Sequence, residues 1–401
     1  MAHLTICVPT RNRQRYCIET IRAIAASDVR DFEVVISDNS DDGDELARFF
    51  ENDLIDQRFR LLPPGDNVLS MVDNWERAME NATGQWVTFI GDDDYIDPRV
   101  SDLIKRYERI HANVEAVGWS RMSFNWPDNR PRDTMATVPA GSSTLVANKE
   151  QLENFLFRWT EGKNRPSSGF GVYHGAASRK LMERIKARFG NRYFEHPNVD
   201  YDSSCKVTAE ARKFVTCQRP FSILGACSSS NSAGLHSQKA MHARTKTFMQ
   251  ETKSGVPVEH PKFPFPLSEN ALSVCVGVAH MTYWFCTKYD IDLTGFGVNF
   301  AKAAMEECAF SRDKAEFDRK VDAFKRGFAL WEDGRWADDF QPAAYDPQRL
   351  AFRHVSGVIS DVIYFWEQKV KAKTPGEFYQ FSEHALMPIE HILAGRKAFT
   401  T

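Results

Sequence analysis

The stretch Trp86-Val-Thr-Phe-Ile-Gly-Asp-Asp-Asp-Tyr-Ile-Asp-Pro98 joins a short apolar run to three adjacent aspartates. Residues 86–90 are rich in β-branched and aromatic side chains, which predicts a buried strand of a parallel sheet. Asp92, Asp93 and Asp94 come at the end of that strand, where neighbouring carboxylates repel one another. A bound Mg²⁺ or Mn²⁺ would relieve the repulsion, since both ions prefer oxygen ligands. The stretch therefore predicts a strand that ends in a metal site.

The bulk composition limits the classes of protein to consider. The chain has 401 residues, 42% of them hydrophobic, and this length suggests about two or three domains. The net charge is -3, so the protein lacks the overall positive charge that is typical of nucleic-acid-binding proteins. The eight cysteines form no CxxC pair, which favours free thiols in a reducing compartment. We see no signal peptide pattern and no apolar stretch long enough to span a bilayer, so we expect a cytoplasmic protein.

Strand and helix patterns alternate through the first hundred residues. Strands are predicted at residues 4–8, 32–36, 59–62 and 86–90, with helical spacing of apolar residues between them. Such alternation predicts an α/β fold with a parallel sheet covered by helices on both faces.

Polar residues follow three of these strands. Thr10 and Arg11 follow the first strand, Asp38 follows the second, and Asp92 and Asp93 follow the last. Ligands of such sheets bind beyond the carboxyl ends of the strands, so we expect these side chains at one shared edge.

The same edge lacks the common nucleotide cradles, because neither GxGxxG nor GxxxxGK[ST] follows the first strand. Without such a cradle, a nucleotide would need a carboxylate for its ring or ribose hydroxyls and a metal ion for its diphosphate. We assign the first role to Asp38 and the binding of the metal to Asp92 with Asp93. Arg11 is placed to meet a phosphate or a base edge. The alternative for Arg11 is a surface salt bridge.

Taken together, these motifs resemble a family 2 glycosyltransferase with the GT-A fold, over about residues 1–240. The segments that carry the resemblance are Val8-Pro-Thr-Arg-Asn12, Val34-Val-Ile-Ser-Asp38-Asn-Ser40, Asn74-Trp through Gly84, and Phe89-Ile-Gly-Asp-Asp-Asp94. The resemblance implies a GT-A-type, Rossmann-like, mostly parallel sheet covered by helices.

The resemblance also implies roles for the residues in these motifs. Pro9, Thr10, Arg11 and Asp38 would hold the nucleotide, Asp92 would contact the ribose, and Asp93 is the best candidate to bind Mn²⁺ or Mg²⁺. Many members of the family carry an aspartate where this chain has Gly91. The roles of the aspartates are therefore shifted here, and Asp94 is an alternative to Asp92 and a further candidate metal ligand.

Two later segments of the chain supply the remaining candidate residues. The family has an acidic residue at the start of a helix that deprotonates the acceptor, and Asp200 is the first choice and Asp202 the second. The alternative is that one of them only caps the helix. His236, in a small, polar segment, resembles the histidine that GT-A enzymes place on a loop near the metal or diphosphate.

The last third of the sequence changes character. Helices are predicted at residues 270–289, 300–308, 314–330, 350–370 and 378–392, so we expect a catalytic domain over 1–254 and an all-α domain over 255–401. This region is rich in aromatic residues, which favours a helical bundle with its own core. The alternatives are an acceptor surface, a homo-oligomer interface or a peripheral membrane contact.

The sequence therefore predicts a metal-dependent, inverting glycosyltransferase. Its donor would be a nucleotide-diphosphate sugar and its acceptor a saccharide or lipid-linked saccharide. The resemblance suggests bacterial surface polysaccharide synthesis, in the cytoplasm or at the inner face of the membrane. The alternatives are a sugar nucleotidyltransferase, which would need a glycine-rich basic loop after the first strand, and an inactive binding scaffold.

Overall fold

A computed structural model of the chain describes residues 2–130, 134–162, 165–166, 169–230, 256–267, 274–349 and 356–395. Within these residues the strands join into one twelve-stranded sheet with helices packed against it.

The strands are numbered in chain order. They are β1 (Leu4–Thr10), β2 (Phe32–Asp38), β3 (Phe59–Leu62), β4 (Trp86–Phe89), β5 (Tyr95–Ile96), β6 (Ala116–Asn125), β7 (Met135–Pro139), β8 (Thr144–Ala147), β9 (Gly175–Ser178), β10 (Phe214–Ala226), β11 (Gly357–Ile359) and β12 (Val362–Trp366).

The α-helices are numbered in the same way. They are α1 (Gln14–Ala25), α2 (Asp44–Asn52), α3 (Met71–Glu80), α4 (Val100–Ile110), α5 (Lys149–Arg158), α6 (Arg179–Arg188), α7 (Val199–Glu210), α8 (Val274–Lys288), α9 (Phe296–Ala309), α10 (Lys314–Leu330), α11 (Pro375–Glu383) and α12 (Ile389–Ala394). Short 3₁₀ turns cover Pro127–Asn129, Trp331–Gly334, Ala337–Asp339 and Glu367–Lys369.

The parallel sheet predicted for the first hundred residues is confirmed, in the spatial order β3-β2-β1-β4. Every residue of β1 is buried. Ile6 and Val8 contribute to the core on one face, and Cys7 contributes to the core on the other. Both faces of the sheet are therefore covered by helices. A continuous apolar run, as in β1, is typical of a parallel strand that is buried on both faces.

Strands added after β4 pair mostly antiparallel. β9 lies between β4 and β6 and is antiparallel to both. β10 runs parallel to β6 but antiparallel to β5, where Ile223 is opposite Tyr95. Because β5 follows directly after the three aspartates, this pairing brings the end of β10 to the aspartate loop.

The prediction of a helix over residues 350–370 is wrong, because the described part of that segment forms β11 and β12. These two strands make an antiparallel hairpin, with Ile359 opposite Val362. β12 also pairs with β7, with Tyr364 opposite Thr137. This second partner comes from a distant part of the chain, so the sequence of the segment alone does not indicate the pairing.

Two polar side chains fasten this returning segment to the sheet. The fully buried carboxylate of Glu367 accepts hydrogen bonds from the backbone nitrogen of Asn125 at 2.9 Å and from its side-chain amide. Arg130 donates to the carbonyl oxygens of Val370 and Ala372. A buried carboxylate without donors is costly, so these bonds fix the end of β12.

The C-terminal region is mostly helical, as predicted. α8, α9 and α10 enclose a core whose centre is aromatic, with the rings of Phe263, Phe265 and Phe300 within about 5 Å of one another. The boundary predicted at residues 254 and 255 lies outside the described residues and stays a prediction. Among the described residues, no helix combines the length and apolar character that crossing a membrane requires.

The junction of α7 and α8 contains a buried histidine with an unusual pKa. His196 is fully buried, and its ring lies 5.1 Å from that of Trp284 on α8. Burial, followed by the charges of His280 and Lys206, lowers the pKa of His196 to about 3. The folded protein therefore keeps this imidazole neutral at pH values where an unfolded chain would protonate it.

We predict that this histidine makes folding sensitive to acid. Stability should be complete above pH 6.5 and fall as the pH drops towards 3, because only the unfolded chain binds the proton in that interval. His196→Leu should flatten the profile by up to a few kcal/mol. Chemical unfolding at pH 7 and pH 5 measures the difference. The exposed His384 supplies the control His384→Leu, and equal pH slopes for the two variants would contradict the prediction.

Candidate functional site

The polar side chains that follow β1, β2 and β4 meet at one edge of the sheet, as predicted. The register places Thr10 opposite Asp38. The Thr10 hydroxyl donates a 2.6 Å hydrogen bond to Asp92, which lies 82 residues away in the chain. The parallel arrangement of the three strands therefore builds a single cluster from separate loops.

Asp92 is completely buried and is held by Arg13. The guanidinium of Arg13 approaches both carboxylate oxygens, with Nε 3.1 Å from Oδ2 and a terminal nitrogen 2.7 Å from Oδ1. Burial raises the pKa of Asp92 to about 7, although Arg13 acts in the opposite direction. Oδ2 therefore accepts hydrogen bonds from Thr10 and Arg13, whereas Oδ1 is ion-paired with Arg13 and accepts no hydrogen bond from the described residues.

Asp93 differs because only one of its carboxylate oxygens is occupied. Oδ2 accepts hydrogen bonds from the backbone nitrogen of Cys227, at 3.1 Å, and from the hydroxyl of Ser230. Oδ1 accepts no hydrogen bond from the described residues and lies 3.6 Å from a terminal nitrogen of Arg13. Asp93 is thus the aspartate with an oxygen left for a ligand.

Asp94 is an internal anchor. Its Oδ2 accepts from the Gly91 nitrogen at 2.6 Å, the Tyr173 hydroxyl at 2.9 Å and His174 Nε2 at 2.9 Å. Its Oδ1 accepts from the Gly225 nitrogen at 2.7 Å. Burial alone would raise the pKa of Asp94, but the contact with His174 and the backbone donors outweigh burial and lower it.

Two glycines make this packing possible. A Cβ at Gly225 would lie 1.8 Å from the backbone oxygen of Asp93, so no side chain fits there. A Cβ at Gly91 would lie 2.9 Å from Asp94 Oδ2 and 3.2 Å from Asp93 Oδ1. An aspartate at position 91 would therefore crowd two carboxylates, which is a physical reason for the shifted acidic motif of this chain.

Asp38 carries an unpaired oxygen at the same edge. Its Oδ1 accepts a hydrogen bond from the Ser40 nitrogen at 2.9 Å, whereas its buried Oδ2 has no hydrogen-bond partner. Burial raises the pKa of Asp38. A buried acceptor without a donor is unfavourable, and a hydroxyl or amine of a ligand would satisfy it.

The remaining residues of the first turn lie beside this cluster. Pro9 is buried within β1. Arg11 is partly exposed, and its guanidinium lies 3.5 Å from Asp41. Asn12 adopts a positive φ of 57°, and its backbone nitrogen donates a 2.8 Å hydrogen bond to Ser40 Oγ. The turn therefore interlocks with the loop that carries Asp38.

The structure separates the two candidate bases on α7. Asp202 is fully buried, and its Oδ2 accepts from the Glu195 nitrogen at 2.7 Å and lies 3.1 Å from the ammonium of Lys206. Asp200 is only half-buried, and burial raises its pKa. Asp202 therefore belongs to a structural ion pair, while Asp200 remains accessible.

Asp200 also lies near the aspartate cluster. Burial raises the pKa of the Tyr173 phenol well above its usual value, and the charges of Asp94, Asp93 and Asp200 act in the same direction. Tyr173 donates a hydrogen bond to Asp94, so its phenol belongs to the cluster and is within the electrostatic reach of Asp200.

Sequence reasoning did not identify Arg13, Tyr173, His174 or Ser230 as part of the site. Arg13 lies two residues after Arg11 in the same turn, so its place in the sequence could have indicated a site residue. Its pairing with Asp92 was not evident from the sequence. His174 is buried and has a positive φ of 52°, which only the folded backbone shows. His236 lies outside the described residues.

The donor set suits a metal ion that substrate helps to bind. Across the described ranges, no group of three or more histidine, cysteine, aspartate or glutamate side chains is arranged to hold a metal. Mg²⁺ and similar ions are commonly held by one or two carboxylates, with water and substrate phosphates completing the shell. The open oxygen of Asp93 fits such a site.

Comparison with known proteins finds a family match for the first part of the chain. Residues 5–181 match the model of the family described as "Glycosyl transferase family 2". The GalNAc(5)-diNAcBac-PP-undecaprenol beta-1,3-glucosyltransferase of Campylobacter jejuni is 28% identical over 123 residues. That alignment covers 28% of this chain and only 37% of the relative's length.

The comparison with solved structures includes the following two matches. One is S. aureus TarS 1-349 in complex with UDP-GlcNAc, with 13% identity, a TM-score of 0.42, and coverage of 82% of this chain and 81% of the other. Another is the mannosyltransferase PcManGT from Pyrobaculum calidifontis in complex with GDP-Man and Mn2+, with 17% identity, a TM-score of 0.38, and 84% coverage of each chain.

We predict that Asp94 and Asp93 differ sharply in their effect on stability. Asp94→Asn replaces a carboxylate that accepts four hydrogen bonds, and losing charged hydrogen bonds of this kind costs roughly 1.5–3 kcal/mol each. Asp93→Asn can keep its single bonded oxygen and should be nearly neutral. Urea unfolding of both variants tests this, and an equal loss of stability would contradict the anchor role of Asp94.

Proposed function

From the family 2 glycosyltransferase domain that the chain carries over residues 5–181, we propose that it transfers a sugar from a nucleotide-diphosphate donor to an acceptor hydroxyl, with inversion and with the help of Mn²⁺ or Mg²⁺. The observation that carries this proposal is the pair of unfilled carboxylate oxygens at one sheet edge. Asp93 keeps an oxygen for a metal, and Asp38 keeps a buried oxygen for a donor group of the nucleotide.

The nucleotide site in this proposal consists of the turns after β1 and β2. Asp38 accepts a hydrogen bond from the base or ribose, because its Oδ2 is buried and unpaired. Thr10 and Pro9 shape the floor of the site, and Arg11 faces a phosphate or a base edge. Asp92, held by Arg13, supports the site from beneath and lies next to the ribose position.

The leaving diphosphate determines the role of Asp93. A divalent ion, when bound, would neutralise the charge that the diphosphate gains as the glycosidic bond breaks. Asp93 is the residue that would hold it, through the oxygen that faces away from Ser230. Asp94 keeps Asp93 in place by fixing the loop to Gly225 and His174.

The acceptor requires a base, and Asp200 is the stronger candidate. Burial raises its pKa, which makes its carboxylate more basic, while its partial exposure leaves it reachable. Asp202 is the weaker candidate because it is fully buried and its Oδ2 pairs with the Glu195 nitrogen and Lys206, although its Oδ1 has no hydrogen-bond partner among the described residues. Asp200 would take the proton of the attacking hydroxyl as that oxygen bonds to the anomeric carbon.

The acceptor in this proposal is a saccharide or a lipid-linked saccharide. The printed name of the Campylobacter relative describes a glucosyltransferase acting on a PP-undecaprenol-linked glycan, which supports a lipid-linked acceptor and bacterial surface glycan synthesis. The setting would then be the cytoplasmic side of the membrane, with the helical region over 255–401 contributing to the acceptor surface or to an oligomer.

Two other functions make different predictions for the same site. A sugar nucleotidyltransferase would release diphosphate from a nucleoside triphosphate, and an inactive scaffold would release nothing. Incubation with a panel of nucleotide sugars and Mn²⁺, followed by mass spectrometry, distinguishes them. Release of nucleoside diphosphate with transfer or hydrolysis of the sugar supports a glycosyltransferase, and its absence across the panel contradicts one.

For donor binding, we predict different effects from the two open carboxylates. Asp38→Ala should weaken nucleotide affinity by about one to two decades, since a charged hydrogen bond is worth roughly 1.5–3 kcal/mol. Asp93→Asn should remove the dependence of nucleotide affinity on Mn²⁺. Calorimetric titration with and without Mn²⁺ measures both effects, and metal-dependent affinity that survives in Asp93→Asn would refute its role as the metal ligand.

For the acceptor step, we predict that Asp200→Asn lowers the transfer rate by about 10²–10⁴, because the amide keeps the shape but cannot take a proton. Donor affinity should be unchanged. The matched control is Asp202→Asn, in which a loss of thermal stability rather than of chemistry is expected. Steady-state transfer by folded protein decides between them, and an active Asp200→Asn beside an inactive Asp202→Asn would reverse the assignment.

A further inference from the structure

The guanidinium of Arg13 occupies the space in front of the aspartate cluster. It contacts both oxygens of Asp92, at 3.1 and 2.7 Å, and a terminal nitrogen lies 3.6 Å from Asp93 Oδ1. Its side chain is 21% exposed, and that of Asp92 is fully buried. The protein therefore supplies its own cation to the two carboxylates that would otherwise face a metal together.

The local fold directs Arg13 to this position. The preceding residue, Asn12, has a left-handed backbone and is fixed by hydrogen bonds to Ser40 and Asp41. The Arg13 carbonyl accepts hydrogen bonds from the nitrogens of Tyr16 and Cys17 and so begins α1. Because the backbone is held on both sides of Arg13, the side chain starts from a fixed position next to the aspartate cluster.

This arrangement determines how many protein ligands a metal could find. Asp94 accepts four hydrogen bonds, and the guanidinium of Arg13 lies against both oxygens of Asp92, at 3.1 and 2.7 Å. Oδ1 of Asp92 accepts no hydrogen bond from the described residues, so its ion pair with Arg13 is what keeps it from a metal. Oδ1 of Asp93 lies farther from Arg13, at 3.6 Å, and the positive charge nearby disfavours a free cation there. A single carboxylate is a weak site for Mn²⁺ unless phosphate oxygens complete the shell.

We propose that Arg13 is a positioning residue that withholds Asp92 from the metal, so that Mn²⁺ binds firmly only together with a nucleoside diphosphate. This inference rests on the proposed function, because it assumes that Asp93 holds a metal. The arginine thus prevents the cluster from filling with metal in the absence of donor. It couples metal binding to nucleotide binding, and the coupling is reciprocal.

Metal binding without nucleotide tests the proposal directly. Arg13→Gln removes the cation and frees Asp92 as a second ligand, so Mn²⁺ affinity in the absence of nucleotide should rise by roughly 10–100-fold, the range over which groups behind metal ligands commonly act. Electron paramagnetic resonance counts free Mn²⁺ and requires no turnover. The control Arg15→Gln makes the same charge change at an exposed arginine that bonds Asp128, and it should leave Mn²⁺ affinity unchanged.

A second variant separates ligand release from a general charge effect. In the double variant Arg13→Gln/Asp92→Asn, the freed ligand is gone, so the gain in Mn²⁺ affinity should disappear. This variant leaves no unpaired charge in the core and should fold even where Arg13→Gln does not. If the gain in affinity for Mn²⁺ alone persists in the double variant, Asp92 is not the ligand that Arg13 withholds, and the inference is overturned.

The wild type distinguishes failure of this inference from failure of the proposed function. If neither UDP nor GDP promotes Mn²⁺ binding to the wild type, the metal-dependent function fails and the inference falls with it. If the wild type shows this coupling but Arg13→Gln gains no affinity for Mn²⁺ alone, only the role of Arg13 is overturned. A gain in Arg13→Gln that is lost in the double variant supports the proposal.

Discussion

Burying three consecutive carboxylates is the constraint on which the rest of the site depends. Each one would repel its neighbours and lose its hydration, so each needs its own compensation. Asp92 takes a guanidinium, Asp93 takes a backbone amide and a hydroxyl, and Asp94 takes a histidine, a phenol and two amides. As a result, Asp94 accepts hydrogen bonds on both oxygens, Asp92 is ion-paired with Arg13, and Asp93 keeps one oxygen that accepts no hydrogen bond from the described residues.

The compensating groups come from distant segments and thereby hold the domain together. Arg13 comes from the start of α1, His174 precedes β9, and Gly225 lies near the end of β10. The aspartate loop thus connects the parallel half of the sheet to the antiparallel half. Weakening the anchor at Asp94 would loosen both halves, whereas changing Asp93 would affect ligands with little effect on the fold.

The chain returns to the first sheet after the helical layer. Helix α8 also contributes to the core that lies against the sheet, where its Phe285 stacks on Phe157 of α5. The strands β11 and β12 then extend the sheet, and α11 completes the core beside Tyr95 through Tyr379. The two regions of the chain are therefore interleaved around one sheet. The described part of the C-terminal region contributes to the core beneath the parallel strands β1 and β2.

The sequence by itself determined the parallel strands, the edge shared by Thr10, Asp38 and Asp92, and the resemblance to a glycosyltransferase family, because periodicity and strand-end motifs are local signals. Only the tertiary structure decided which aspartate is open, since that depends on donors such as Arg13 and His174 that arrive from other segments. The same reason explains the missed pairing of β7 with β12. A strand edge or a buried carboxylate is satisfied by whatever the fold brings to it, and one local stretch of sequence does not specify that partner.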